Sequence, residues 1–150
     1  MHKRHIVEQI VSIVEKELKA AKQAALESAE EATDEESRAE NKYDTHALET
    51  SYVASAQAHY AKDLTQALQA YRNLSLADGA SGPVAIGSLV TTLGPNGREQ
   101  FFMGPARGGL ELDTEQGPVT VLTPKSPLGS QLVGKTLGMN AGPRKILRIE

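Results

Sequence analysis

The chain has 150 residues, of which 39% are hydrophobic and 23% are charged, and its formal net charge at pH 7 is -3. This balance is typical of a soluble protein with one or two small domains, and it argues against strong long-range attraction of the whole chain to nucleic acid. There is no cysteine or tryptophan and only 4% of the residues are aromatic, which excludes thiol chemistry and leaves few flat surfaces for stacking bases.

The N-terminal segment begins with basic residues and continues as an amphipathic stretch. Residues 6–19 are interrupted by Glu8, Glu15 and Glu17, so they predict neither a signal peptide nor a membrane span. A chain without cysteine suits a reducing compartment. We therefore expect a cytoplasmic protein with no membrane partner and no small-molecule substrate.

Glycine and proline divide the chain into two halves. Residues 5–75 contain neither, whereas all 13 glycines and all 7 prolines lie between Gly79 and Pro143. Such a shift in composition indicates a domain boundary, and the turn-forming residues at the crossover indicate a linker. The predicted division is a helical hairpin over residues 1–76, a linker over 77–83 and a C-terminal domain over 84–150.

In the first half, apolar and small residues recur at alternating steps of three and four, which predicts two helices. The first seam consists of Val7, Val11, Val14, Leu18, Ala21, Ala25, Ser28 and Ala32, and the second of Val53, Gln57, Tyr60, Leu64, Ala67, Tyr71 and Leu74. A reversal near residues 37–40 would place Leu18 opposite Tyr60. We therefore expect an antiparallel hairpin of coiled-coil type, about 45 Å long.

An acidic run lies between the two seams. Seven carboxylates occur from Glu30 to Asp44, against two basic residues, Arg38 and Lys42. Thr33 and Ser37, each followed three residues later by glutamate, fit capping boxes, so one interpretation is that the acids cap a helix and keep its end soluble. The other interpretation is that they form a functional site.

The second half predicts short strands separated by turn residues. The β-rich runs cover 84–93, 98–105, 109–114, 117–124 and 145–150, with a hairpin turn at Asn96-Gly97. Ser126 and Pro127 begin a short helix, which Leu128, Leu132 and Val133 pack on the sheet and Gly134 ends. The predicted class is α+β, with the helical hairpin followed by an antiparallel sheet that carries one short helix.

Residues 119–139, VTVLTPKSPLGSQLVGKTLGM, resemble the C-terminal signature of the Gre transcript-cleavage factors. The matching elements are a strand, then Ser126-Pro127 and a short helix, then the turn from Leu132 to Lys135. The layout of a helical hairpin before an FKBP-like domain is similar too. The resemblance implies bacterial RNA polymerase as the partner, bound through Ser126, Pro127 and Leu128, with indirect contact to nascent RNA.

The resemblance also implies a mechanism. Gre factors insert their hairpin into the secondary channel of a backtracked polymerase, where acidic residues at the tip help hold the second catalytic Mg²⁺ and position water. The polymerase then cleaves its own RNA, so the factor is at most a stimulator and binds no metal alone. The implied catalytic residues are Glu36, Glu40 and Asp44, and the implied ligands of the shared Mg²⁺ are Asp34, Glu35, Glu36, Glu40 and Asp44.

The family's tip pattern, Gly-Asp-x-x-Glu-Asn-x-x-Tyr, fits this chain in three registers. Glu40-Asn41 can match Glu-Asn, which puts Ser37 at the aspartate position and Tyr43 one residue early. Glu40 can instead take the aspartate position with Tyr43 at the glutamate, or Asp44 can take it with Tyr52 as the aromatic residue. The hairpin has no glycine in any register.

Three other functions compete with transcript cleavage. A Gre-like factor could occupy the channel without stimulating cleavage. An FKBP-like domain could be a peptidyl-prolyl isomerase, although such a site needs an aromatic pocket and this half has only Phe101 and Phe102. The chain could also be an interaction protein with no link to the polymerase.

Overall fold

The computed structural model describes residues 2–38, 45–76 and 82–150, and the side chains of residues 31–54 lie outside the description. The order of elements confirms the α+β class, with two long helices before a sheet that carries one short helix. In chain order the elements are α1 (His2–Arg38), α2 (Thr45–Arg72), β1 (Leu89–Gly94), β2 (Gly97–Met103), β3 (Glu111–Thr114), β4 (Gly117–Leu122), α3 (Pro127–Leu132), β5 (Asn140–Ala141) and β6 (Arg144–Ile149).

The chain divides into two compact units, one formed by residues 1–11 and 69–150 and the other by residues 12–68. The first turns of α1 and the last residues of α2 therefore belong to the same unit as the sheet. Of the linker predicted at 77–83, residues 77–81 lie outside the described part of the chain. No described helix carries an apolar stretch long enough to cross a bilayer.

The helical unit buries one stripe of each helix. Leu18 and Ala21 of α1 and Leu64 and Ala67 of α2 are buried as the seams predict, as is Val14. Tyr60 is an exception, because it is 49% exposed and Ala61 is buried beside it. Its hydroxyl donates to Glu17 Oε2 at 3.4 Å, one residue from the predicted pairing with Leu18. The large phenol therefore lies at the rim of the stripe, where its hydroxyl reaches a polar partner.

The N-terminal turns of α1 bury a different face from the one predicted. Ile6 and Ile10 are fully buried, whereas the predicted seam residues Val7 and Val11 are only half-buried. The reason is that residues 1–11 belong to the sheet unit, so contacts there follow the sheet and not the helical seam. Lys3 is buried on this side as well, and its Nζ donates to the carbonyl oxygen of Gly87 at 3.3 Å.

The sheet has six strands in the order β3-β4-β2-β1-β6-β5. The prediction of an antiparallel sheet is wrong in one ladder, because β2 and β4 are parallel, from Gln100 beside Val119 to Met103 beside Leu122. The connection at 104–110 carries the chain past one strand position to the edge strand β3. The β3–β4 hairpin then folds back and inserts β4 beside β2, so the sheet is mixed.

The centre of the sheet is buried on both faces. Phe101 and Phe102 are consecutive in β2 and therefore point to opposite faces, yet they are only 5% and 0% exposed. Phe101 belongs to the core that includes α3, together with Val84, Val90, Met103, Leu122, Leu132, Ala141, Ile146 and Ile149. The aromatic residues of the sheet are thus used for packing.

Candidate functional site

The helix start at Ser126 is built as the sequence predicts. Ser126 Oγ accepts a hydrogen bond from the amide of Gly129 at 3.1 Å and donates one to the carbonyl oxygen of Thr123 at 2.7 Å. Pro127 occupies the first helical position, where its missing N–H costs nothing. The Ser126 side chain is therefore fully engaged within the loop, and it fixes the loop that carries Pro127.

Gly129 allows the start of this helix to pack closely against the preceding loop. It is buried, and a Cβ added to it would overlap the carbonyl oxygen of Thr123 and lie 2.5 Å from Ser126 Oγ. Only glycine lets the helix approach the end of the preceding strand this closely. The short helix is thus held at a fixed distance from the sheet.

The three predicted partner-binding residues differ in exposure. Pro127 is exposed, Ser126 is half-buried with its hydroxyl engaged, and Leu128 is partly buried against the core. Within this trio Pro127 presents the most surface to a partner, while the other two position it. Whether these residues bind a partner stays a prediction.

The turn after the helix presents an exposed apolar surface, which we call the 133–139 loop. Val133, Leu137 and Met139 are 39%, 65% and 45% exposed. Val133 was expected to pack on the sheet, and that prediction is wrong because α3 ends at Leu132, which takes the buried position. Gly134 follows with φ +83°, a left-handed conformation that is typical of the residue after a helix end.

The predicted acidic site lies in the part of the chain whose side chains are not described. Asp34, Glu35 and Glu36 fall within α1, but their side chains are outside the description, and Glu40 and Asp44 lie in the undescribed segment 39–44. Their catalytic and Mg²⁺-binding roles remain predictions. Among the described residues, no three histidine or acidic side chains come together as metal ligands.

An open groove of about 860 Å³ lies on the sheet. Its lining is polar and of mixed charge, including Arg98, Glu99, Glu111 and Arg148, and it contains no aromatic side chain. The ion pair between Arg148 and Glu150, with an N–O distance of 2.9 Å, already satisfies part of this charge. The groove therefore favours neither an anionic ligand nor the aromatic pocket of a prolyl isomerase.

No protein-family model matches the chain, and no curated protein matches it. Several solved structures resemble it, and three of them are described here. The transcription factor Gfh1 is 18% identical with a TM-score of 0.40, covering 93% of this chain and 92% of its own. Gfh1 of Thermus aquaticus is 15% identical with a TM-score of 0.39, covering 92% of each chain. GreA factor homolog 1 (Gfh1) of Thermus thermophilus is 15% identical with a TM-score of 0.32, covering 93% of this chain and 94% of its own.

Proposed function

We propose that this protein is a Gre-type transcription factor that binds bacterial RNA polymerase and acts on backtracked elongation complexes. The observation that carries the proposal is the helix start at Ser126-Pro127 with the turn from Leu132 to Lys135. In this segment the sequence motif coincides with a constrained piece of structure that leaves Pro127 exposed. Exposed residues on a rigid loop are typical of binding sites.

The placement of the acids in the chain supports an action at the polymerase active site. The acidic run spans the end of α1 and the connection to α2, while the opposite ends of both helices belong to the sheet unit. Along the chain, the acids are therefore far from the part of each helix that belongs to the sheet unit.

Carboxylates suit the proposed chemistry. Mg²⁺ is a hard cation that keeps several waters and needs only one or two protein oxygens, so one or two of Glu36, Glu40 and Asp44 would suffice beside the polymerase's own ligands. A second metal in such a site stabilises the attacking and leaving oxygens of an in-line displacement. This chain's residues would hold the ion and orient the attacking water, and the polymerase would supply the rest.

The main alternative is a factor that occupies the channel without stimulating cleavage. The two functions have opposite effects on the lifetime of backtracked complexes, because a stimulator shortens it and a blocker prolongs it. The isomerase alternative is disfavoured because Phe101 and Phe102 are both buried in the sheet and the groove has no aromatic lining.

The test uses purified core polymerase and the whole chain. Deleting residues 1–76 would be a poor probe, because Ile6, Ile10 and Tyr71 are buried and residues 1–11 and 69–150 form one unit. We expect the intact protein to co-elute with core polymerase and to change the rate at which nascent RNA is cleaved in a stalled, backtracked complex. No co-elution at micromolar concentrations would refute the proposal.

A further inference from the structure

The turn between β1 and β2 is a short loop that is exposed to solvent. Gly94 and Gly97 are paired in the ladder, so Pro95 and Asn96 alone form the loop. Asn96 is exposed, and no hydrogen bond to its side chain is found among the described residues. The carboxamide of Asn96 is therefore free to turn toward the backbone nitrogen that follows it.

Gly97 leaves this backbone nitrogen unshielded. Its φ is +86°, and a Cβ added to it would meet no atom within 4 Å. Glycine changes its φ at little steric cost, so the backbone nitrogen of Gly97 can approach the Cγ atom of Asn96. This approach closes a succinimide ring, which a side chain on the residue after an asparagine hinders.

The other two described asparagines lack this arrangement. Asn140 is followed by Ala141, which carries a Cβ and is buried in β5. Asn73 is followed by the larger Leu74, and the backbone nitrogen of Leu74 donates to the carbonyl oxygen of Tyr71 at 3.2 Å. Asn96 is therefore the described asparagine at which ring closure meets the least hindrance.

The β3–β4 turn provides a comparison within the same chain. It too is a two-residue loop, closed by Gly117 with φ +107° opposite Thr114, but the residue before the glycine is Gln116. Its backbone is held, because the Gln116 carbonyl oxygen accepts from Gln100 Nε2 at 2.7 Å and the Gln116 nitrogen donates to Thr114 Oγ1 at 3.2 Å. A glutamine must also close a larger ring, so this turn should stay unmodified.

We infer that Asn96 is a site of spontaneous deamidation, at which the β1–β2 turn acquires aspartate or isoaspartate. The Gly97 nitrogen gives up its proton and attacks Cγ of Asn96, the bond from Cγ to Nδ2 breaks, and ammonia leaves. Water then opens the succinimide at Cγ, which gives aspartate, or at the backbone carbonyl carbon, which gives isoaspartate. Water is the co-reactant, nothing is oxidised or reduced, and the reaction does not depend on the proposed function.

The two products differ in their effect on the turn. Isoaspartate lengthens the backbone of the loop, whereas aspartate adds a negative charge and keeps the backbone length. Because β1 and β2 also pair with β6 and β4 on their other sides, their register is fixed and the longer loop must fit between strands that cannot shift. Isoaspartate should therefore lower the stability of the sheet, and aspartate should change it little.

The experiment stores the whole purified chain at neutral and at mildly alkaline pH and follows each asparagine by peptide mapping with mass spectrometry. Released ammonia is measured in parallel, because Asp78-Gly79 can also form isoaspartate but releases no ammonia. Asn96→Gln keeps an exposed carboxamide in the turn and slows the ring closure. Asn96→Asp supplies the charge without lengthening the backbone. Thermal unfolding of both variants checks that they fold like the parent.

We expect Asn96 to deamidate at least about tenfold faster than Asn73 and Asn140, which corresponds to a barrier lower by about 1.4 kcal/mol. Gln116 should stay unchanged over the same time. The rate at Asn96 should rise with pH, because the attacking nitrogen must lose its proton. The isoaspartate fraction should unfold at a lower temperature than the fresh protein, whereas Asn96→Asp should unfold close to it, as exposed substitutions usually do.

Three results would overturn the inference. Equal rates at Asn96 and Asn140 would mean that the exposed turn gives no advantage to ring closure. Ammonia released by Asn96→Gln as fast as by the parent would place the reaction elsewhere in the chain. An unmodified Asn96 after alkaline storage would mean that the turn keeps the carboxamide away from the Gly97 nitrogen.

Discussion

Thr92 lies at a bulge in the ladder between β1 and β6, fully buried, and its hydroxyl has no hydrogen-bond partner among the described residues. Burying an unpaired hydroxyl is unfavourable. We therefore expect Thr92→Val to raise the free energy of unfolding by about 1 kcal/mol, measured by chemical denaturation.

Thr114 is the matched control for this substitution. Its hydroxyl donates to the carbonyl oxygen of Gly117 at 2.7 Å and accepts from Gln116 N at 3.2 Å in the β3–β4 turn. Thr114→Val should lower the free energy of unfolding by about 1 kcal/mol. If Thr92→Val were destabilising by a similar amount, the Thr92 hydroxyl would have to be satisfied.

Tyr71 joins the end of α2 to the connection between β2 and β3 through a hydrogen bond. Its side chain is 1% exposed, and its hydroxyl donates to the carbonyl oxygen of Ala106 at 2.6 Å. Gly104 makes room for the hydroxyl, because a Cβ there would overlap it. Burial raises the pKa of Tyr71 well above its ordinary value, although the charge of Arg107 acts in the opposite direction.

The raised pKa predicts an alkaline loss of stability. The folded state keeps the Tyr71 proton while the unfolded chain loses it above pH of about 10, so this contribution is complete below that pH and declines as pH rises. Unfolding free energies at several values above pH of about 10 should fall by up to about 1.4 kcal/mol per pH unit from this group. Tyr71→Phe should show a shallower decline, and equal slopes for the two proteins would contradict the assignment.

At the scale of elements, the helical unit depends on a narrow apolar stripe. Leu64 is 2% exposed, whereas Ala58 on the same helix is exposed. Leu64→Ala should lower the free energy of unfolding by about 2–5 kcal/mol, because two helices have little other core to compensate for the cavity. Ala58→Ser should have a small effect, and similar effects from both substitutions would mean that α2 buries a different face.

Local patterns predicted the elements well. Glycine at the β1–β2 turn, the serine and proline before α3 and the three-four spacing in both helices each act through nearby backbone, so the sequence shows them directly. The two-residue strand β5 was not predicted, because its pairing with β6 depends on the turn at Gly142 and leaves almost no apolar pattern.

The order of the strands in the sheet and the buried face of α1 could not be predicted in the same way, because they depend on residues far apart in the sequence. The Glu115-Gln116 turn fixes β3 and β4 as a hairpin, but no local signal says which of the two lies beside β2. Ile6 and Ile10 are buried in place of Val7 and Val11. Residues 1–11 of α1 belong to the sheet unit and the rest of α1 to the helical unit, so the buried face differs between the two parts of the helix. The exposure of Val133 was not predicted, because an apolar residue next to the buried Leu132 is typical of a core position.

For the whole molecule, the proposed function divides between the two units. In that proposal, Pro127 of the sheet unit binds the polymerase, and the acids of the helical unit act at its active site. Substitutions at Pro127 should therefore weaken affinity, whereas substitutions of the acids should change the outcome of binding.

We propose that the acids within residues 34–44 act at the polymerase's catalytic metal. The most direct measurement compares RNA cleavage in backtracked complexes with the parent protein and with the variant Glu40→Gln, Asp44→Asn, at two Mg²⁺ concentrations. The charge-matched control is Glu111→Gln, Asp113→Asn, at two exposed positions on β3. We expect the parent and the control to stimulate cleavage, and the acid variant to bind polymerase without stimulating it, most clearly at low Mg²⁺. Stimulation by the acid variant equal to that of the parent would contradict the claim, and no stimulation by the parent at either concentration would leave a channel-binding regulator in its place.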